Sequence, residues 1–377
     1  MSEAPHAYDV YQARRQRLRE RCAAAGDAAA VVSRPANIRY LTGTAPERAA
    51  LLLTTHDPGA DVLLCAVRPG ARPEEGRADE ALRLELLDGP GADPAVAAAT
   101  LALRRGGRPV AVEEHDLTVA RHRAMASAAP GLALTDLGGA VEQLRYVKDE
   151  DEISCLRIAA EITDQALGEL LESILVGRTE RHLALELERR LIDHGADGPA
   201  FASSVGTGPN AGLARHQPTD RRVEEGDFLT VSLGAVYRGY RCAIGRTFVI
   251  GTTPADWQVE LYDLVFAAQR AGREALAPGA ACRDVDRAAR QVLTGAGYTE
   301  GLAPVTGHGV GLENVEDPQI APAAMGKLDA RVPVTVEPGV HLPGRGGVRI
   351  DDTLVVRPGA DGGPELLTIT TKELLAL

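Results

Sequence analysis

The chain has 377 residues, with 41 Lys plus Arg against 53 Asp plus Glu, a formal net charge of −12. That surplus of acid argues against nucleic acid or an anionic membrane surface as partner, since both select basic faces. Apolar residues make up 45% and aromatic ones only 3%, which excludes wholesale disorder and leaves little for a base-stacking platform.

In chain order, Tyr8 to Ala25 reads as a polar, Arg-rich helix stopped by Gly26. Short apolar runs at 28–32, 38–41, 49–53, 62–67 and 110–112 read as strands. Turns such as DPGAD and RPGARP separate them, as do helices around 94–105 and 117–128. Strands interleaved with helices predict an α/β domain over residues 1–145. Beyond it, Ile153, Leu156, Ala160, Leu167, Leu171 and Ile174 recur at helical spacing behind an acidic first turn. Thr179 caps a second helix that stops near Gly195, and Thr253 with Pro254 marks the start of a third. Strand-like runs fall at 228–233, 242–250, 332–336 and 353–356. Residues 146–377 are therefore expected to lay helices over a strongly bent antiparallel sheet, an α+β architecture.

The five cysteines (Cys22, Cys65, Cys155, Cys242, Cys282) are odd in number, scattered and never in a CxxC pair. Neither a disulfide framework nor a zinc knuckle is expected. The start lacks an apolar signal core and no run is apolar enough to span a bilayer, so a soluble cytoplasmic protein is expected.

Four strings in the second half carry the chemistry: VGTGPNAGLARHQPTD (205–220), EEGDFLTVSLGAVYRGYRCAIGRTFVIG (224–251), GHGVGLENVEDP (307–318) and VTVEPGVHLPGRGGVRIDDTLVV (334–356). PANIRYLTG (35–43) and LRYVKDEDEISCLRIAAEI (144–162) precede them. Together these strings resemble the creatinase/aminopeptidase P family, whose members include Xaa-Pro peptidases. The resemblance implies a pita-bread domain over 146–377, a smaller creatinase-like α/β domain over 1–145, and a homodimer.

Peptidases of that family hold two divalent metals with two Asp, one His and two Glu. The resemblance places these ligands at Ser232, Ala243, His308, Glu337 and Asp351, so two carboxylates are lost and a third is shortened. Asp is shorter than Glu by one carbon–carbon bond, roughly 1.5 Å, enough to spoil an inherited geometry. Two further catalytic His positions fall at Arg215, with His216 one step away, and at Val315. Either Arg215 or His216 fills the first of them.

The pocket that the resemblance implies holds His308, Glu337 and His216 as catalytic residues. Arg215, Arg349, Asp351, Arg241 and His341 are its substrate-binding residues, with no metal and no cofactor. Strand alternation puts Arg241 on the face of Ala243. His beside a carboxylate moves protons near neutral pH, and arginines clamp carboxylates. The leading expectation is therefore a metal-independent, creatinase-like enzyme that processes a C–N bond of a small carboxylate-bearing metabolite. Two alternatives stay open: a non-catalytic pita-bread protein that binds a peptide or partner, and an Xaa-Pro-type metallopeptidase with an altered ligand set. Against individual residues stand plainer readings: an Arg349 ion pair for Glu337 and Asp351, a buried hydrophobe for Cys242, and an exposed loop charge for Arg215.

Overall fold

The computed structural model describes residues 7–66, 82–89, 91–173 and 175–377. Ile174, Val67 and the RPGARP turn lie outside the described residues. The chain divides into two compact units, Met1–Arg145 and Tyr146–Leu377.

The first unit runs α1 (Ala7–Ala25), β1 (Ala29–Val32), α2 (Pro35–Thr42), β2 (Ala49–Thr54), β3 (Val62–Ala66), β4 (Arg83–Leu87), α3 (Pro94–Arg104), β5 (Val110–Val112), α4 (Val119–Ala128), β6 (Leu134–Asp136) and α5 (Ala140–Arg145). Its strands form one mixed sheet in the order β4-β3-β2-β1-β5-β6. The alanine face of α3 (Ala95, Ala98, Ala99, Ala102) packs on Val31, Leu52, Leu64 and Val112. Small helix residues let the helix approach the sheet closely, so a ring-poor core still fills.

One expected strand is a helix. Residues 38–41 lie inside α2, where Pro35 opens the first turn and Gly43, at φ 77°, closes the last. Three apolar residues around Arg39 have no readable period, and the proline and glycine at their flanks decide the matter.

The second unit opens with α6 (Glu150–Leu171) and α7 (Glu180–Asp193). A reciprocal cap starts α6: Asp149 accepts from the Glu152 N–H at 2.9 Å, and Glu152 accepts from the Asp149 N–H at 3.0 Å. Thr179 caps α7 as expected. Then come β7 (Gly198–Pro199), β8 (Ser204–Thr207), β9 (Phe228–Leu233), β10 (Ala235–Tyr237), β11 (Tyr240–Arg241) and β12 (Ile244–Val249). Helices α8 (Asp256–Glu274) and α9 (Cys282–Gly295) follow. The last strands are β13 (Gly307–Gly309), β14 (Glu316–Ile320), β15 (Pro333–Val336), β16 (Gly339–Leu342), β17 (Gly346–Arg349), β18 (Asp352–Val355) and β19 (Glu365–Leu366). Helix α8 starts beyond the expected Thr253 and Pro254. Ala255 is its cap, and its N–H is taken by the Gln258 side chain at 2.9 Å.

Every pairing between the named strands of this unit is antiparallel, and Val249 adds one parallel bridge to Ala376. The main sheets are β12-β9-β8 and β14-β13-β15-β18-β19, with β16 and β17 as a separate ribbon. A bridge between Gly245 and Asp351 ties the first sheet to the turn between β17 and β18. Helix α8 covers one side through Leu261, Tyr262, Val265 and Ala268, which meet Phe228, Val340 and Val348. Helix α9 adds Val285 to a second cluster with Val334, Val336 and Leu354. The polar faces of these same strands carry the site.

Candidate functional site

Four side chains converge at the ends of three strands. His308 sits in β13 between two glycines, and a Cβ at Gly307 would strike the Thr335 carbonyl, one at Gly309 the Asp317 carbonyl. Its pairing with β14 shifts register between His308 and Gly309. Such an irregularity re-aims a side chain that a regular ladder would fix. The Thr335 hydroxyl accepts from the His308 N–H at 3.1 Å, and the ring Nδ1 lies 2.9 Å from the Gly309 carbonyl. That contact makes Nδ1 the donor and turns Nε2 toward Glu337, 3.4 Å away. Glu337 follows β15 directly, and its backbone N–H is fixed on the Thr306 carbonyl at 2.6 Å.

Arg349 ends β17. Its guanidinium lies 2.5 Å from Asp351 Oδ2 and 3.6 Å from Glu337 Oε2. Thr247 on β12 holds the Arg349 backbone through both its N–H and its carbonyl. Asp351 is 2% exposed and its Oδ1 has no hydrogen-bond partner.

The charges follow from this geometry. Burial opposes a charged His308, but the hydrogen bond and charge of Glu337 outweigh it and hold the imidazole pKa above its ordinary value. Glu337 resists the upward push of burial and is drawn down to about 2, by His308 first and then by Arg349. Asp351 goes the other way, to about 6, because burial and the Glu337 charge outweigh Arg349. His341 is pushed down to about 4 by burial and by Arg349. It lies on the Arg349 face of the β16–β17 ribbon, two residues from Gly339, which pairs opposite Arg349. A Cβ on Gly339 would stand 3.3 Å from Arg349 Cβ and 3.5 Å from His341 Nε2, so ring and stem flank one glycine.

Of the residues expected in the pocket, the structure therefore brings together His308, Glu337, Arg349 and Asp351, with His341 beside them. His216 is engaged by a carboxylate of its own: its Nε2 lies 2.8 Å from Glu180 Oε2. The Glu180 carboxylate also accepts from the Thr207 N–H, the Asn210 amide, and the N–H and hydroxyl of Thr219. Arg215 is exposed on the same loop. Arg241 donates to the carbonyls of Ala200 at 2.5 Å and Leu312 at 3.3 Å, and β11 ends there, so simple alternation does not carry it to Ala243. Cys242 is fully buried with its thiol pushed up to about 12, a core residue and no nucleophile.

Sequence reasoning missed two residues. Glu180 reads as an ordinary acid in the first turn of α7, and nothing local points to partners some thirty residues away. Gly245 had a usable signal, since a lone glycine inside a strand pattern marks close backbone approach. The Asp351 carboxyl fills the space a Cβ on Gly245 would occupy.

Residues 14–147 match the model described as the creatinase/prolidase N-terminal domain, and residues 154–358 that of metallopeptidase family M24. An Xaa-Pro dipeptidase of Pyrococcus furiosus is 36% identical over 235 residues. The match covers 62% of this chain and 66% of that enzyme, just short of two thirds of its length. An uncharacterised peptidase of Staphylococcus saprophyticus is 31% identical over 90% of this chain and 94% of its own. Among solved structures, an Xaa-Pro dipeptidase from Bacillus anthracis superposes with a TM-score of 0.88 at 29% identity, covering 97% of this chain and all of that one. These likenesses bear out the pita-bread fold and the creatinase/aminopeptidase P resemblance. They overturn the expectation of metal-independent, creatinase-like chemistry on a small metabolite: the named relatives are Xaa-Pro dipeptidases and the matched model is that of a metallopeptidase family.

The donors present at these positions are too few for the metal pair that this kinship implies. Ala243 supplies none, Ser232 replaces a carboxylate with a neutral hydroxyl, and Asp351 Oδ2 is already bonded to Arg349. Among the described residues no group of three or more His, Cys, Asp or Glu is placed to hold a metal ion. The residues do not fit a pair of dications.

Proposed function

The chain belongs to metallopeptidase family M24, a family of hydrolases, and from that premise we propose that its second domain binds a short peptide of the Xaa-Pro kind, by recognition and without metallopeptidase turnover. The observation that carries this reading is the closure of Glu337 and Asp351 on His308 and Arg349, at positions where the resemblance expects a shared metal pair. A carboxylate that is already neutralised by an internal cation does not need a dication to be stable.

In this reading Arg349 takes the peptide carboxylate in a charge-assisted hydrogen bond, and His308 with Glu337 receives the peptide amide. His341 and Asp351 wall the same site. The working form is a homodimer in the cytoplasm. No described helix is long and apolar enough to cross a membrane.

Hydrolysis of Xaa-Pro peptides is the second reading, favoured by the names of the relatives and by the retained His308–Glu337 pair. One experiment separates the two. Ala-Pro is titrated calorimetrically into the full chain, and proline release is followed with and without added Mn²⁺. Saturable binding tighter than about 1 mM with no proline release supports recognition. Metal-dependent release establishes hydrolysis, and absence of binding removes the peptide reading altogether.

A further inference from the structure

Asp351 lies at a crossing of two chains. Its backbone N–H and carbonyl pair with the carbonyl and N–H of Gly245 at 2.9 and 3.1 Å, bringing β12 against the turn between β17 and β18. Its Cβ would stand 2.9 Å from a Cβ at position 245, and its Oδ2 closer still. The carboxyl therefore rests in a volume that exists only because residue 245 has no side chain. From that resting place Oδ2 reaches the Arg349 guanidinium at 2.5 Å. The neighbouring position on β9, Ser232, which pairs opposite Gly245, contributes no charge.

We propose that Gly245 and Arg349 form a lock on this site: the missing side chain lets Asp351 turn onto Arg349, and that internal guanidinium competes with any divalent cation for the His308, Glu337 and Asp351 donors. The proposal rests on taking this constellation as the ligand site and on nothing about which peptide it holds. Its physical basis is competition. Two carboxylates and an imidazole are three donors, the number a single catalytic metal ordinarily needs from a protein. Here Arg349 sits 2.5 Å from one carboxylate and 3.6 Å from the other, and the second carboxylate also lies 3.4 Å from His308 Nε2. A cation that enters must displace Arg349 from both carboxylates. Loss of two family carboxylates thus lowers affinity once, and the lock lowers it again.

The test is calorimetric titration of Zn²⁺ into the full chain and into two variants, Arg349→Gln and Gly245→Ala, each first shown to unfold cooperatively in urea. The first variant removes the competing cation. The second keeps every charge and displaces the Asp351 carboxyl by one methyl group, so it reports even where the first does not fold. The natural chain is expected to bind Zn²⁺ no tighter than about 1 mM, and each variant at least about tenfold tighter. Adding Glu337→Gln to either variant should abolish the gain, which separates this site from surface His–Glu pairs. Micromolar binding by the natural chain that Glu337→Gln removes would overturn the lock, and so would variants that bind no more tightly than the parent. The Ala-Pro titration reads the peptide assignment separately, so either idea can fail alone.

Discussion

Glu180 and His216, thirty-six positions apart, meet at 2.8 Å in the second domain, and the carboxylate is wholly buried. Glu180 accepts five hydrogen bonds, four of them from Thr207, Asn210 and Thr219, so it anchors both ends of the segment that bears Arg215. Burial raises its pKa, but the Thr219 and Asn210 donors and the Thr207 N–H outweigh that and leave it lowered. Glu180→Ala is expected to cost about 3 kcal/mol in urea unfolding, because the buried Thr207 N–H and the partly buried Asn210 and Thr219 donors lose their acceptor together. His216→Ala removes one partner and should cost about 1 kcal/mol, with Ala-Pro affinity changed by less than about twofold. An unchanged stability with lost peptide binding would return His216 to the site.

The His308–Glu337 pair predicts a pH window. His308 has a folded pKa above its unfolded value near ~6.5, so its contribution is complete below that value and fades as pH rises through the folded one. Glu337 is depressed to about 2, so its contribution is complete above its unfolded value near ~4.3 and fades as pH falls toward 2. The pair therefore stabilises most between roughly pH 4.5 and 6.5. Asp351, raised to about 6, acts with the opposite sign, since its ionisation in the fold weakens stability as pH climbs to that value. Glu337→Gln also relieves the repulsion that helps raise Asp351, so the difference between parent and variant falls further as pH climbs toward about 6. The difference should peak inside the window and shrink at pH 3 and pH 9. Histidine proton NMR should place the His308 midpoint above ~6.5 in the parent and lower in the variant.

What the sequence disclosed and what it hid divide along the range of the interactions. The acidic first turn of α6 and the Thr179 cap of α7 are local signals, each satisfied within one helical turn, and both helices form behind them. Residues 38–41 and the Thr253–Pro254 start went astray because a short apolar run has no period and a proline marks a start only to within a residue or two. His308, Glu337, Arg349 and Asp351 were legible as neighbours only through the family resemblance of the strings around them, and the strand pairings then supply the physical reason. His216, Arg241 and Gly245 depend on which distant atom each meets, and only the folded chain supplies Glu180, Ala200, Leu312 and Asp351 as those partners.

Behind the site, Arg246 on β12 is completely buried and spends its guanidinium on the Gly245 and Asp351 carbonyls, the Asp352 carboxylate and the carbonyls of Thr370 and Thr371. Asp352 is further held by Gln269, Thr368 and Lys372. The segment from Thr368 onward is thus keyed to the main chain of Asp351 through one side chain. Arg246→Met leaves Asp352 with a single cation and several carbonyls unpaired, and should cost about 3–5 kcal/mol in urea unfolding. Lys372→Met leaves Arg246, Gln269 and Thr368 in place on Asp352 and should cost no more than about 1–2 kcal/mol. Equal losses in the two variants would contradict Arg246 as the hub.

Arg241 separates a strut from a ligand anchor. Its Nε and one terminal nitrogen donate to the Leu312 and Ala200 carbonyls, and its own N–H donates to the Gly311 carbonyl at 2.8 Å. These bonds join the chain after β13 to the chain after β7, which is the work of a brace. A brace acts through stability, so Arg241→Met should cost about 1–3 kcal/mol and shift Ala-Pro affinity by less than about twofold once the protein is folded. An anchor acts through charge at the ligand. In that case Ala-Pro would weaken at least about tenfold while its C-terminal amide would not, because a guanidinium–carboxylate hydrogen bond is worth about 1.5–3 kcal/mol. Calorimetry with the two dipeptides at a temperature well below both unfolding midpoints reads one outcome or the other. The carbonyl partners already in hand favour the brace.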